Sequence, residues 1–309
     1  MSILVVGTVA FDTVETPFGR AERILGGSAT YAALAARVVG APVMLNAVVG
    51  RDFPDAHVRA LVERGVDVEG LVRDPDGETF FWAGRYHYDL GTRDTLATHL
   101  NVLATFEPDL PAGYRDPAIV CLGNLDPAVQ ASVIGQAGGA GPLVIADTMN
   151  FWIDSAPDAL RETLRRVDVL VVNDEEARQL SGQSNLVRAA RAVREMGPQT
   201  VIIKKGEHGA MLFCAEDDIC AVPAYPLEDV VDPTGAGDTF LGGFAGHLAR
   251  AGATDPETMR QAVVVGSALA SFVVEAFGPE RLLGVRPADL DARVEAFRRL
   301  SAVPQIVSA

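Results

Sequence analysis

Between Val230 and Gly243 the chain reads VVDPTGAGDTFLGG, two aspartates around a Gly-Ala-Gly turn that runs at once into an apolar helical pattern. Phe240, Leu241, Phe244, Ala245 and Leu248 recur at helical spacing, and Gly252 closes the run. The turn therefore supplies a helix N-terminus. Free N–H groups around Gly235, Ala236, Gly237 and Asp238 would concentrate roughly half a positive charge there. Gly235 and Gly237 let the main chain come close to a ligand. As a dipole-favoured acid in a first turn, Asp238 would contribute only about 0.3–1 kcal/mol. Beside exposed amides it has a second use, accepting the proton of an attacking hydroxyl. Amides that hold the charge on a transferring phosphoryl group, with a carboxylate that takes the proton, suffice for transfer from ATP to an alcohol.

Such a turn needs a scaffold to hold it. Short β-rich runs alternate with helical patterns almost from end to end: ILVVG (3–7), VMLNAVVG (43–50), AIVCLGN (118–124), LVIADT (143–148), DVLVVN (168–173) and TVIIKKG (200–206). Continuous apolar strands separated by helices indicate an α/β fold with a mainly parallel sheet covered on both faces. Ligands gather beyond the carboxyl ends of such strands. The polar residues that close the runs, Asn124, Asp147, Asn173 and Lys204 with Gly206, would then share one rim. TFFWAGRYHYD (79–89) differs, because it alternates strictly, with Phe80, Trp82, Gly84, Tyr86 and Tyr88 against Phe81, Ala83, Arg85, His87 and Asp89. With the polar stretch 11–24 it suggests a small accessory sheet, formed by about 12–25 and 78–100. That sheet is either an ordinary edge hairpin or a lid over the site that also serves as a homodimer contact. One unit over 1–309 is expected.

Composition narrows the function classes. The 309 residues are 49% hydrophobic, enough for a large core, and carry a net charge of −15. An acidic surface repels a phosphate backbone, so no nucleic-acid partner is expected. The cysteines Cys121, Cys214 and Cys220 show no metal-like spacing. No apolar run reaches membrane-spanning length, and the expectation is a soluble cytoplasmic protein with no membrane partner.

DPTGAGDTF resembles the C-terminal signature of the ribokinase-like, or PfkB, carbohydrate kinases. The resemblance extends from GTVAFD through GGSATYAALAARVVGA and NDEEARQL to the C-terminal helices. It implies a ribokinase-like three-layer sandwich with a small β-sheet lid, and ATP with Mg2+ as the phosphoryl donor. Asp238 would be the catalytic base, and Gly235, Ala236 and Gly237 the anion hole. Asn173 would lie near the phosphates and Glu176 near Mg2+, through water, although Asn173 with Glu176 is also a helix capping box. Lys204, Gly206 and Gly209 match the nucleotide-contacting loop, and Gly266 falls in the helix against which adenine would lie. Asp12 matches the acid that grips acceptor hydroxyls, Gly26 and Gly27 the paired glycines of the lid hinge, and Asp232 a monovalent-cation (K+) site. Asn124 is placed with the acceptor residues. A Gly-rich loop ending in Gly-Lys-Ser/Thr is absent, which excludes a P-loop enzyme.

The match departs at GGSATY, where ribokinases carry Gly-Gly-Lys-Gly-Ala-Asn. Ser28 and Tyr31 stand at the Lys and Asn positions, which weakens ribose as the acceptor. Tyr31, if it faces the pocket, could stack on a sugar, a cyclitol or a base. Arg85, His87 and Arg93 could instead meet an acceptor that is already phosphorylated. The reading is an ATP-dependent kinase acting on a hydroxyl of a small sugar or related polyol, with a nucleoside or myo-inositol kinase as alternative. A nicotinamide-dependent oxidoreductase lacks its Gly-rich turn after the first strand. A silent sugar- or nucleotide-binding regulator would not need Asp238 intact.

Overall fold

Apolar runs bounded by glycine and polar residues become strands buried on both faces. The computed structural model of the protein describes residues 1–139, 141–214, 218–300 and 302, so residues 303–309 of the expected unit lie outside it. In chain order the strands are β1 (Ile3–Val6), β2 (Ala10–Thr16), β3 (Gly19–Gly26), β4 (Val43–Gly50), β5 (Val66–Asp74), β6 (Phe81–Tyr86) and β7 (Arg93–His99). The second half adds β8 (Ile119–Leu122), β9 (Leu143–Asp147), β10 (Val169–Asn173), β11 (Thr200–Lys204), β12 (Ala210–Phe213) and β13 (Ile219–Val222). Among the described residues these form a nine-stranded sheet, ordered β13-β12-β11-β10-β9-β8-β1-β4-β5, and a four-stranded sheet, ordered β3-β2-β6-β7. From β5 across to β11 the large sheet is parallel, and β12 and β13 extend it antiparallel. The expected α/β architecture, a mainly parallel sheet with a smaller separate one, is the architecture found.

Alternation along each strand sends its side chains into two apolar layers. Ile3, Val5, Val169 and Val171 enter one with helices Ser28–Val39, Ala236–Ala251 and Pro256–Val273. Leu4, Val6, Leu170 and Val172 enter the other with helices Pro127–Gln136, Pro157–Leu164 and Leu186–Arg194. Each such side chain is 0% exposed, worth about 1.5–3 kcal/mol relative to solvent exposure. In the first layer the LGGFAG run lets two helices touch through their backbones. A Cβ added at Gly242 would stand 2.1 Å from the Ala32 carbonyl oxygen. That contact fixes the Ala236–Ala251 helix, and with it the turn that opens the helix.

The chain winds from β1 to β4 and β5, then returns to lay β8 against the other side of β1. The crevice at such a reversal is where ligands bind in open α/β sheets. Gly123, Asp147, Asn173 and Lys204 all lie at or just beyond the carboxyl ends of their strands on this side.

The small sheet is built from residues 10–26 and 81–99. β2 and β6 pair in parallel with Asp12 opposite Trp82, and β6 and β7 pair antiparallel with Tyr86 opposite Arg93. Period two therefore puts Asp12, Trp82 and Tyr86 on one face. Tyr88, expected on that face, lies beyond the end of β6 and is 85% exposed. No described helix is long and apolar enough to cross a membrane.

Candidate active site

Gly235 opens the Ala236–Ala251 helix at φ 76°, a left-handed conformation that costs glycine little. Its missing side chain matters as much as its dihedral. A Cβ there would lie 2.5 Å from the Tyr31 ring, which packs directly under the turn. The Ala236 N–H bonds the Pro233 carbonyl at 3.2 Å and the Thr239 N–H bonds that of Gly235 at 2.8 Å. Among the described residues the N–H groups of Gly235 and Gly237 have no main-chain acceptor. They are the orphan donors that make a helix start an anion site.

Acids and one lysine surround this turn. Lys204, at the end of β11, is tied to Asp147, at the end of β9, with Nζ 3.0 Å from Oδ2. A Cβ on Gly237 would stand 2.8 Å from the same Nζ, so the ammonium lies over the turn. Burial alone would lower the pKa of Lys204, but Asp147, Glu176 and Asp238 outweigh it and hold the group above the ordinary lysine range. Burial pushes Asp238 up to about 7; Asp147 adds to the rise, while Lys204 and Arg93 oppose it. A carboxylate with a pKa near neutrality is suited to accept a proton from an alcohol.

Glu176 is likewise raised to about 7, by burial and then by Asp147, with Lys204 opposing. Its carboxylate accepts the Asn173 N–H at 2.8 Å while the Asn173 side chain accepts the Glu176 N–H at 2.7 Å. The capping box is real, and it fixes Glu176 within the field of Asp147 and Lys204.

Asp12 approaches from the small sheet. It is buried, accepts the Gly27 N–H, and is raised to about 7 by burial and then by Asp232 and Asp238. The paired glycines make room for it. A Cβ on Gly26 would collide with its carboxylate at 1.9 Å, and Gly27, at φ 93°, turns the chain into helix Ser28–Val39. Ser28, at the position of the ribokinase lysine, exchanges hydrogen bonds with Thr8: its N–H reaches Thr8 Oγ1 at 2.8 Å and its Oγ accepts the Thr8 N–H at 3.1 Å. Asp232 is fully buried and accepts the amides of Thr234 at 2.8 Å and Gly278 at 3.1 Å, bracing the segment before the turn. Thr234 in turn lies 3.3 Å from the Tyr86 hydroxyl, joining the small sheet to the turn.

The structure thus groups Asp12, Gly26, Gly27, Tyr31, Asn173, Glu176, Lys204, Asp232, Gly235, Ala236, Gly237 and Asp238 around the head of one helix. Tyr31 is 1% exposed, so its ring offers no face for stacking; its hydroxyl is buried without a hydrogen-bond partner among the described residues. Asn124 is engaged elsewhere, its oxygen accepting Trp152 Nε1 at 2.9 Å and its amide nitrogen 2.8 Å from the Met149 sulfur. Gly206 and Gly209 form the tight β11–β12 turn, where a Cβ on Gly209 would meet the Val222 carbonyl at 2.0 Å. Gly266 lets its helix approach the Phe240 carbonyl, 2.8 Å from a notional Cβ. Arg85 pairs with Glu15 and His87 with Asp94, so of Arg85, His87 and Arg93 it is Arg93 that reaches the acids of the turn. The partnership of Asp147 with Lys204 was not legible in the sequence; an acid closing a strand was the available signal.

Comparison with known proteins agrees with this geometry. The family model for pfkB family carbohydrate kinases matches residues 2–283. A cytidine kinase of Thermococcus kodakarensis is 30% identical over 253 residues, covering 81% of this chain and 89% of that protein. A nucleoside kinase of Methanothermobacter thermautotrophicus is 27% identical over 308 residues, covering 90% and 91%. Among solved structures, an E. coli protein described as a ribokinase II in complex with ATP and Mg2+ superposes with a TM-score of 0.77. It is 21% identical, with 96% of this chain and 99% of that one covered.

Proposed function

Since the chain belongs to the pfkB family of carbohydrate kinases and is a phosphotransferase with an alcohol group as acceptor, we propose that it transfers the terminal phosphoryl group of ATP to a sugar hydroxyl of a nucleoside. The observation that carries the reading is the convergence of the buried Asp12 and the half-buried Asp238, whose charge acts on Asp12, beside the open amides of the Gly235–Gly237 turn. The cytidine and nucleoside kinases among its relatives favour a nucleoside over a free sugar. So does the loss of the ribokinase Lys and Asn to Ser28 and Tyr31.

In this mechanism Asp12 accepts hydrogen bonds from acceptor hydroxyls and turns one toward Asp238. That hydroxyl loses its proton to Asp238 as its oxygen bonds to the terminal phosphorus. The bond from phosphorus to the bridging oxygen breaks, and ADP leaves. The Gly235 and Gly237 amides and Lys204 hold the negative charge of the group in transit, the term that dominates such transfers. Among the described residues no cluster of three or more His, Cys, Asp or Glu could hold a metal ion. The donor set therefore fits a Mg2+ that arrives on the nucleotide and faces Glu176, where it would neutralise phosphate charge. Asp232 would be the neighbour of a K+ ion, tested by replacing K+ with Na+ during turnover. The small sheet acts as a lid, since its Asp12 and Tyr86 reach the turn while its roots, Gly26 and Gly27, join the main body. Its edge strand β7 exposes Leu96, and there a second copy would pair.

The test is ADP release from MgATP with a panel of pyrimidine and purine nucleosides, ribose, fructose and myo-inositol. A nucleoside should give the highest kcat/KM. A preference of tenfold or more for a free sugar or inositol would overturn the acceptor assignment.

A further inference from the structure

We infer that Arg93, carried by the small sheet, is a further catalytic residue whose guanidinium binds the phosphoryl group in transit between nucleotide and acceptor. The inference rests on the reading of the Gly235–Asp238 turn as the transfer site.

Geometry brings the residue there. Arg93 opens β7 directly opposite Tyr86 of β6. The Tyr86 hydroxyl lies 3.3 Å from Oγ1 of Thr234, the residue before Gly235. The strand pair therefore delivers the Arg93 side chain beside the head of the helix. The guanidinium lies close enough for its charge to act on the Tyr86 hydroxyl and sits 5.7 Å from the centre of the Trp82 ring. Its field reaches both Asp238 and Glu176 and favours their charged forms.

What Arg93 lacks is equally informative. Among the described residues no carboxylate stands at ion-pair distance from it, whereas Arg85 of the same sheet holds Glu15 at 3.0 Å and His87 holds Asp94 at 3.0 Å. The transfer site is crowded with acids: Asp147, Glu176 and Asp238 act on Lys204, which is already bound to Asp147, and Asp12 and Asp232 stand beside Asp238 and Thr234. A triphosphate entering that site brings further negative charge. An uncommitted cation is what the arrangement is short of, and Arg93 is the one placed to supply it. A guanidinium offers two parallel N–H groups to the equatorial oxygens of a phosphoryl group. Those bonds strengthen as charge spreads onto the oxygens in the transition state. Arg93 exchanges no proton: the acceptor oxygen–phosphorus bond forms, the bond to the ADP oxygen breaks, and the proton goes to Asp238.

The test compares Arg93→Ala, Arg93→Lys and Asp238→Asn in the full chain. It uses the nucleoside that turns over fastest with MgATP, and binding of MgADP with and without aluminium fluoride, a mimic of the phosphoryl group in flight. Arg93→Ala should lower kcat about 100-fold with the acceptor KM little changed, as loss of one transition-state donor does. It should also bind MgADP normally but lose the tightening that aluminium fluoride brings. Arg93→Lys should recover part of the rate, because a point charge replaces half of the fork. A kcat for Arg93→Ala within about threefold of the parent would overturn the inference, as would a defect confined to the acceptor KM, which marks ground-state binding alone. Asp238→Asn separates the two readings. If it also retains turnover, the site itself is misplaced; if it is inactive while Arg93→Ala is not, only the role of Arg93 fails.

Discussion

Asp238→Asn should damage the chemistry and strengthen the fold, and the two effects have separable magnitudes. The carboxyl stands at about 7 in the folded chain, displaced from an ordinary 3.8 by burial and by Asp147. Between those values the folded state holds a proton that the unfolded state has released, so stability falls as pH rises through this window. Above about pH 7 the whole cost of the buried charge is present, about 4 kcal/mol from the linkage relation. Solvent reaches part of the side chain and screens the effect to about 1–3 kcal/mol. Asparagine keeps the shape and removes the charge. For a chain of this length the gain corresponds to a rise in melting temperature of about 3–8 °C at pH 8. At pH 5 the native carboxyl is mostly protonated, and the difference should shrink to less than half. Turnover should fall about 10³-fold at pH 8, within the range for loss of a general base, and by much less at pH 5, where the base of the parent is itself mostly protonated. Thermal melts of the ligand-free protein at pH 5 and pH 8, with ADP release measured on the same samples, check both statements. A variant that melts with the parent at both pH values would show that no buried charge exists at 238. One that turns over normally would show that the charge is not a base.

Glu176→Gln preserves the capping box, because glutamine serves equally at that helix position. It should melt somewhat above the parent at pH 8, because it too removes a buried charge raised to about 7, yet need about tenfold more Mg2+ for half-maximal rate, the scale of a lost outer-shell metal partner; an unchanged Mg2+ titration would remove Glu176 from the metal's surroundings. Asp147→Asn leaves Lys204 without its 3.0 Å partner, which should cost about 3–5 kcal/mol in melting experiments at pH 8. Because Asp147 raises Asp238, the acid limb of kcat/KM in this variant should move to lower pH, and a limb that stays or rises would refute the coupling.

The sheet was legible because its strands are apolar on both faces, and this marks burial whatever the partners are. The edge strands β5, with VDVEGLVRD, and β13, and β12 beside it, carry weaker patterns, and the sequence does not announce them. The same holds for β7: RDTLATH is exposed along almost its whole length, so no apolar alternation betrays it, and the role of its first residue could not be read. The turn around Asp238 was legible because glycines, acid and helix are contiguous. Asp147 and Lys204 were not legible as a pair, since they meet only when β9 and β11 flank β10. From the sequence, Tyr31 offers a stacking surface only if it faces the pocket. Its ring instead fills the space beneath Gly235, a contact between distant segments that no local spacing encodes.

The concentration of buried acids has a consequence for how the site avoids wasting ATP. Burial raises Asp12, Asp238 and Glu176 to about 7, with Asp147 adding to the rise of Asp238 and Glu176, and Asp232 and Asp238 to that of Asp12. A base in that condition is sensitive to any cation placed beside it. Lys204 is fixed to the main sheet and acts on Asp238 permanently, whereas Arg93 belongs to the small sheet and acts only while that sheet lies over the turn. If the sheet lifts, Asp238 loses one of the charges that keep it ionised, and it also loses Asp12, which presents the acceptor. Water entering an uncovered site would then meet no cation of the small sheet over the terminal phosphate and no Asp12 to orient it. On the proposed roles of Asp12, Arg93 and Asp238, discrimination between an alcohol and water would follow from that coupling, because one closure of the small sheet would assemble the acceptor grip, the phosphate clamp and the base.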